Sequence, residues 1–124
     1  MQNKQTNKLK ITYSTGFYNI DAAHILYISS SSGGYCEIML NTNQKIVTSK
    51  RIGFLSESLS HNNFLKRIDR SLIVNVNEVF HVMKNKKIIE FQNTKGGLIQ
   101  LNCSTSALQE LNRIFFGNDE DDKE

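Results

Sequence analysis

Arg70 and a scattered set of serine hydroxyls are the groups in this chain best placed to do chemistry, and the chemistry they offer is anion and base-edge binding. Arg70 lies in the turn Asp69-Arg70-Ser71, between the apolar runs Phe64–Ile68 and Leu72–Val76, so its head must reach solvent. A guanidinium there can fork onto guanine O6 and N7 or onto a phosphate. Arg67 alternates less cleanly with Phe64 and Ile68, and a phosphate contact and a surface ion pair are both open readings. Ser71, Thr105 and Ser106 can donate to phosphate oxygens. Ser104 precedes a helical pattern, and a helix N-terminus there adds backbone donors and a dipole that favours an anion. Plain N-capping by Ser104 and Thr105 is the competing reading and does not exclude contact with a ligand. Lys50 and Arg51 stand at the start of another helical stretch, where positive charge opposes the dipole. Stability therefore does not explain them: either they neutralise a phosphate or they are tolerated. The run from Ser29 to Gly34, with Ser31, Ser32 and Gly33 inside it, is too small and polar to pack. With Tyr35 behind it, that loop faces solvent or a ligand.

Arranged catalysis is not legible. His24, His61 and His81 are scattered, and none sits near a carboxylate at metal-ligand spacing. No nucleophile elbow, phosphate-binding loop or dinucleotide fingerprint occurs. Gly33-Gly34 and Gly96-Gly97 read as turn glycines, because a phosphate cradle needs a helix N-terminus behind it. Cys36 and Cys103 match neither metal spacing nor a CxxC pair, and each sits inside an apolar stretch. They read as buried free thiols in a reducing cytoplasm. The expectation is a cytoplasmic non-enzyme without metal, cofactor or small-molecule ligand.

The elements that must carry these groups are short β runs separated by polar turns. Leu9–Thr15 alternates apolar and polar residues, Gly16 allows a tight turn, and Phe17 to Ile20 continues extended. A short helical turn at 21–24 precedes the continuous apolar strand Ile25–Ile28. Tyr35–Leu40 and Gln44–Thr48 flank a hairpin turn at Asn41-Thr42-Asn43. From 49 to 60 the period changes: Ile52, Leu55 and Leu59 define an amphipathic helix, Phe54 broadens its stripe, and Ser49 can cap it. Phe64–Ile68, Leu72–Val76, Val79–Met83, Ile88–Phe91 and Leu98–Leu101 are strands. Leu108, Leu111 and Phe115 fall at helical spacing after Ser104, with Gly117 as a stop. The short connections imply antiparallel neighbours.

The chain has 124 residues, a length that buries a core as one domain without disulfide or metal. Hydrophobic residues make up 39% and charged ones 22%, which argues against disorder. The net charge of +3 hides an asymmetry. Residues 118–124 hold five acids and one base, which leaves residues 1–117 with 14 bases, 7 acids and a net of +7. A basic body fits a polyanionic partner, although a mixed solvated surface explains the charge equally well. The expected organisation is a polar N-terminal segment at 1–8, a folded body at 9–117 and an acidic, disordered tail at 118–124. The polar start leads into no apolar core of signal-peptide length, and no apolar run approaches the ~20 residues of a membrane span.

The stretch Phe64-Leu-Lys-Arg-Ile-Asp-Arg-Ser-Leu-Ile-Val-Asn-Val-Asn-Glu-Val79 resembles the central signature of the bacterial LytTR family, in which a His-Arg-Ser-like turn precedes an Ile-Val-Asn strand. Three further matches keep the order: Ile25–Ile28 with the loop and Tyr35, the helix from Lys50 to Leu59, and Cys103-Ser104 leading into the last helix. The resemblance covers roughly residues 10–115. It implies a mostly β fold, an elongated stack of small antiparallel sheets with one mid-chain and one C-terminal helix. It also implies a transcription regulator of the response-regulator output type that binds promoter DNA with loops entering successive major grooves. A second copy on repeated sites is a further partner the likeness suggests. The residues expected against double-stranded DNA are Ser32, Gly34, Tyr35, Lys50, Arg51, Arg67, Asp69, Arg70, Ser71, Ser104, Thr105 and Ser106. The sequence lacks the receiver domain that often precedes this module, and the expectation is a stand-alone regulator or a fragment that happens to begin with Met. The chain departs from the family where Asp69 replaces His and where Thr105 and Ser106 replace Arg. A carboxylate beside the backbone repels phosphate, although it can accept from a cytosine amino group. These departures and the acidic tail support a rival reading, a protein-interaction module that keeps the fold with a weakened DNA grip. Asn75 and Asn77 resemble the family's strand Asn, for which a structural hydrogen-bonding role is the leading expectation.

Overall fold

A computed structural model describes residues 7–117. Ten strands appear there: β1 (Lys8–Tyr13), β2 (Gly16–Asp21), β3 (Ile25–Ser30), β4 (Cys36–Leu40), β5 (Lys45–Thr48), β6 (Leu65–Asp69), β7 (Leu72–Asn75), β8 (Val79–Met83), β9 (Ile88–Gln92) and β10 (Leu98–Asn102). The helices are α1 (Ile52–Ser58) and α2 (Thr105–Phe116), and short 3-10 turns cover Ala22–His24 and Val76–Glu78. The strands form three sheets: the hairpin β1-β2, a five-stranded sheet in the order β5-β4-β3-β7-β6, and a three-stranded sheet in the order β10-β9-β8. Every pairing is antiparallel. The expected stack of small sheets with a mid-chain and a C-terminal helix is what the chain forms.

The five-stranded sheet is the middle layer, and it is buried on both faces. Ile28, Ile38 and Ile73 pack with Leu9, Ile11 and Ile20 of the hairpin and with Ile52, Leu55 and Leu59 on and beside α1. The opposite face presents Tyr27, Met39 and Val74 to Ile89 and Phe91 of β9 and to Ala107 and Leu111 of α2. This accounts for the unbroken apolar run in β3, since a strand covered on both sides cannot alternate with polar residues. The register with β4 slips between Ile25 and Tyr27, so Ile25 joins the first core and Leu26 the second. Each fully buried aliphatic side chain contributes about 1.5–3 kcal/mol of transfer free energy, so the two cores make the middle sheet a stiff platform.

Several boundaries differ from expectation, each for a local reason. The loop after β3 starts at Ser31, because Ser29 and Ser30 pair with Glu37 and Cys36. It also includes Tyr35, which was expected to open β4. Helix α1 is shorter than 49–60, and its N-cap is Arg51 rather than Ser49. Lys50 N donates to Thr48 Oγ1 at 3.1 Å, a side-chain turn that holds Ser49 outside the helix. Phe54 is exposed rather than part of the buried stripe, with the Lys50 ammonium 4.9 Å from its ring centre. Val76 leaves the strand because the Asn75 side chain accepts from Asn77 N and starts a 3-10 turn. Asn75 is buried and its Nδ2 donates to Ile25 O at 2.9 Å, the structural role expected of it. Cys36 is a buried free thiol, whereas Cys103 is only half-buried. Lys8 belongs to β1, and the rest of the expected N-terminal segment up to residue 6, like the tail at 118–124, lies outside the described residues.

Candidate nucleic-acid interface

The register of the five-stranded sheet decides where the expected contact residues lie. Cys36 faces Thr48 across β4-β5, Ser30 faces Cys36 across β3-β4, Ser29 faces Leu72 across β3-β7, and Asp69 faces Leu72 across β6-β7. All five strands therefore end together at one edge of the platform. Beyond that edge project the Ser31–Tyr35 loop, the Ser49-Lys50-Arg51 lead into α1, and the Arg70-Ser71 turn. Strand alternation alone cannot bring these segments together, because they are separated by up to 40 residues of chain; pairing order does.

The loop between β3 and β4 closes on itself. Ser31 N and Oγ both donate to Tyr35 O, at 2.8 and 3.2 Å, and Gly34 N donates to Ser31 O at 3.1 Å. Gly34 has φ +87, a left-handed conformation that glycine takes without a Cβ penalty. Ser32 and Gly34 are exposed, and so is Tyr35, at 53%. The loop is tied to the neighbouring turn by Ser30 N, which donates to Ser71 O at 3.0 Å.

The turn between β6 and β7 is tied in the other direction to α2. Asp69 Oδ1 accepts from Ser71 N at 2.8 Å and from Ser71 Oγ at 3.2 Å. Its second oxygen, Oδ2, accepts from Ser104 Oγ at 2.8 Å, across 35 residues of sequence. Ser104 is also the N-cap of α2, accepting from Ala107 N at 3.0 Å, and its Oγ lies 3.1 Å from Ser106 Oγ. The capping expectation for Ser104 thus holds, and the hydroxyl does a second job. Thr105 and Ser106 are exposed in the first turn of the helix.

The arginines divide. Arg67 Nη2 donates to Arg70 O at 2.8 Å, so this guanidinium braces the turn and reaches toward Gly53 of α1. Arg70 is exposed, and among the described residues no hydrogen bond or ion pair engages its guanidinium. Both arginines, with Asp69, Ser104, Ser106 and Glu110, line an open groove of about 650 Å³. Glu110 was not expected here, although its spacing of four residues from Ser106 places it on the same helix face. Its charge is not loose: Arg113 binds both carboxylate oxygens and holds the Glu110 carboxyl below the usual glutamate range. Lys50 and Arg51 complete the positive side of this edge, Lys50 half-buried and Arg51 exposed.

Among the described residues, no group of three or more His, Cys, Asp or Glu side chains is placed to hold a metal ion. No helix there is long and apolar enough to cross a membrane. Another polar cluster, His81 with Glu90 and Gln100, sits on the small sheet, and its Gln100 lines an open cavity together with Ser29, Asp69, Ser71 and Ser104.

Comparison with known proteins agrees with this architecture. The model of the LytTR family, the LytTr DNA-binding domain, matches residues 15–115. The chain belongs to the LytTR family. Among solved structures, the LytTr DNA-binding domain of a protein described as a putative methyl-accepting/DNA response regulator from Bacillus cereus matches with a TM-score of 0.64. That match has 13% sequence identity and covers 90% of this chain and 98% of that one. None of the curated proteins matches by sequence. At such low identity the solved LytTR domain speaks for the fold alone, and membership of a DNA-binding family rests on the family match. The chain is accordingly a member of a family of DNA-binding domains.

Proposed function

We propose that this LytTR domain reads promoter DNA in the major groove through three connections at one edge of its five-stranded sheet. These are the Ser31–Tyr35 loop, the Asp69-Arg70-Ser71 turn and the first turn of α2, with Lys50 and Arg51 neutralising flanking phosphates. The observation that carries the reading is the pair of ties Ser30–Ser71 and Asp69–Ser104, which makes one surface of three distant segments. A rigid surface of this kind loses little conformational freedom on binding. Arg70 supplies the forked donor, suited to guanine O6 and N7. The rival reading, a protein-interaction module, rests on Asp69, on Thr105 and Ser106 in place of Arg, and on the acidic tail, and the first of these is the one the hydrogen bonds bear on. That carboxylate already accepts three hydrogen bonds from within the chain, so it is a brace rather than a loose charge aimed at the backbone. A second copy bound at a repeated site fits the same mode of reading.

The test is binding-site selection from random duplexes, followed by titration of the selected site at several salt concentrations. A linear fall of log affinity with log salt is expected, with a slope near −0.9 for each phosphate neutralised. Arg70→Ala is expected to cost about 1–3 kcal/mol on the selected site and to relax the preference at one base pair. Absence of duplex binding at low salt, or an Arg70→Ala variant indistinguishable from wild type, rejects the proposal.

A further inference from the structure

The hydrogens of the serine hydroxyls at this edge can be assigned from the bonds around them, and the assignment bears on which bases the surface accepts. A carboxylate has no hydrogen to donate. The Ser104 hydroxyl, 2.8 Å from Asp69 Oδ2, must therefore be the donor in that bond. Ser104 Oγ also accepts the Ala107 amide hydrogen. Its own hydrogen being committed to Asp69, the 3.1 Å contact between Ser104 and Ser106 has only one consistent direction: Ser106 donates and Ser104 accepts. That fills Ser104, with one hydrogen given and two accepted, and leaves Ser106 with lone pairs alone for any partner outside the chain. Ser71 follows the same logic, since its hydroxyl donates to Asp69 Oδ1.

We infer that Asp69 is a specificity-determining residue: by drawing in the hydroxyl hydrogens of Ser71, Ser104 and, through Ser104, Ser106, it turns Ser106 into a hydrogen-bond acceptor beside Arg70. This rests on the DNA reading above and refines it. An acceptor at that place pairs with the exocyclic amino group of adenine or cytosine, the major-groove donors of the four bases. It does not pair with phosphate oxygens or with the keto oxygens of guanine and thymine, which only accept. In this scheme Ser71 and Ser106 do not donate to phosphate, as their residue types alone suggested. Asp69 touches no base and acts through Ser106, so it is a positioning residue.

Asp69→Asn gives the decisive variant because it inverts the chain of hydrogen bonds without changing its shape. The Ser71 amide still needs an acceptor, which keeps the new side-chain carbonyl at Ser71 and turns the new amino group toward Ser104. That amino group and the Ala107 amide then occupy both lone pairs of Ser104. The Ser104 hydrogen swings to Ser106, whose own hydrogen is released outward. In the variant Ser106 is a donor.

The experiment is binding-site selection with the full chain as wild type, Asp69→Asn and Ser106→Ala. Wild type is expected to enrich adenine or cytosine at one position next to the base that depends on Arg70, by roughly two- to tenfold, the factor of one neutral hydrogen bond. Ser106→Ala should flatten that position alone. Asp69→Asn should deplete cytosine there in favour of bases with a major-groove acceptor, guanine and thymine through their keto oxygens or adenine through N7, and leave the other positions as they were, which a merely structural loss would not do. An unchanged preference in Ser106→Ala overturns the inference, as does cytosine retained in Asp69→Asn, or adenine retained there whose binding 7-deazaadenine leaves unaltered. Should wild type select no DNA at all, the functional reading fails, and a neutron structure of the free protein still decides the hydrogen-bond chain. Deuterium density on the Ser104–Asp69 and Ser106–Ser104 lines supports it, and a Ser106 deuteron pointing outward overturns it.

Discussion

At the scale of single residues, the same side-chain type serves opposite ends depending on where its hydrogen bonds go. Arg67 and Arg70 are three positions apart, yet Arg67 is spent on the Arg70 carbonyl while the Arg70 head stays available. Glu90 shows how such commitment couples to pH. It is buried at 6% exposure on the small sheet, accepting from Gln100 Nε2 at 2.7 Å and lying 2.8 Å from His81 Nδ1. The Gln100 hydrogen bond, then the His81 one, hold the Glu90 carboxyl below the usual glutamate range. A carboxyl whose folded-state pKa is depressed stabilises the fold above its unfolded value, about 4.3, and loses that contribution as pH falls through the folded value. Glu90→Gln should therefore be less stable than wild type at neutral pH, with the gap closing on acidification below about pH 4. Denaturant midpoints measured from pH 3 to pH 7 check this. A gap of constant size across that range would mean that charge at Glu90 plays no part.

At the scale of elements, α1 carries the clearest conflict between stability and binding. Its N-cap is Arg51, which makes no side-chain cap bond, and its first turn holds no acid. An Asp at an N-cap accepts from the exposed amides and complements the dipole, a gain of about 1 kcal/mol over a residue that does neither. Arg51→Asp is thus expected to raise the melting temperature while it weakens duplex binding and makes the salt slope shallower by about one unit. A variant that gains stability without losing affinity would remove Arg51 from the interface. The elements themselves were largely legible in the sequence. Period-2 and period-3.6 patterns record burial directly, so every strand from β1 to β10 and both helices were expected close to where they lie. Boundaries moved where a side chain captured a backbone amide, as Thr48 does for Lys50 and Asn75 for Asn77, because such captures leave no hydrophobic period. The site was legible as residue types but not as a surface. Asp69 read as a repulsive charge because its partner Ser104 lies 35 residues away, and nothing local announces a bond of that range.

At the scale of the whole molecule, the contrast in charge between the body and the acidic tail becomes a question of distance. The proposed DNA edge includes the N-terminus of α2, and the tail continues from its other end. Twelve helical residues put about 18 Å between those points. The Debye length is about 10 Å at 0.1 M salt and about 30 Å at 0.01 M. Over the distance from the tail's attachment point, the field of its five acids and single base on an approaching duplex is strong only in dilute salt. Removing residues 118–124 raises the net charge from +3 to +7, the value carried by residues 1–117. Field effects of this kind change the rate of encounter more than the lifetime of the docked complex. Deletion is expected to speed association with the selected duplex several-fold at low salt, to leave dissociation nearly unchanged, and to lose its effect as ionic strength passes physiological levels. Stopped-flow association rates over a salt series, with and without the tail, measure it. A slower dissociation after deletion would point instead to a direct contest between tail and DNA for the same groups, and an unaltered association rate at low salt would rule out electrostatic shielding of the basic body.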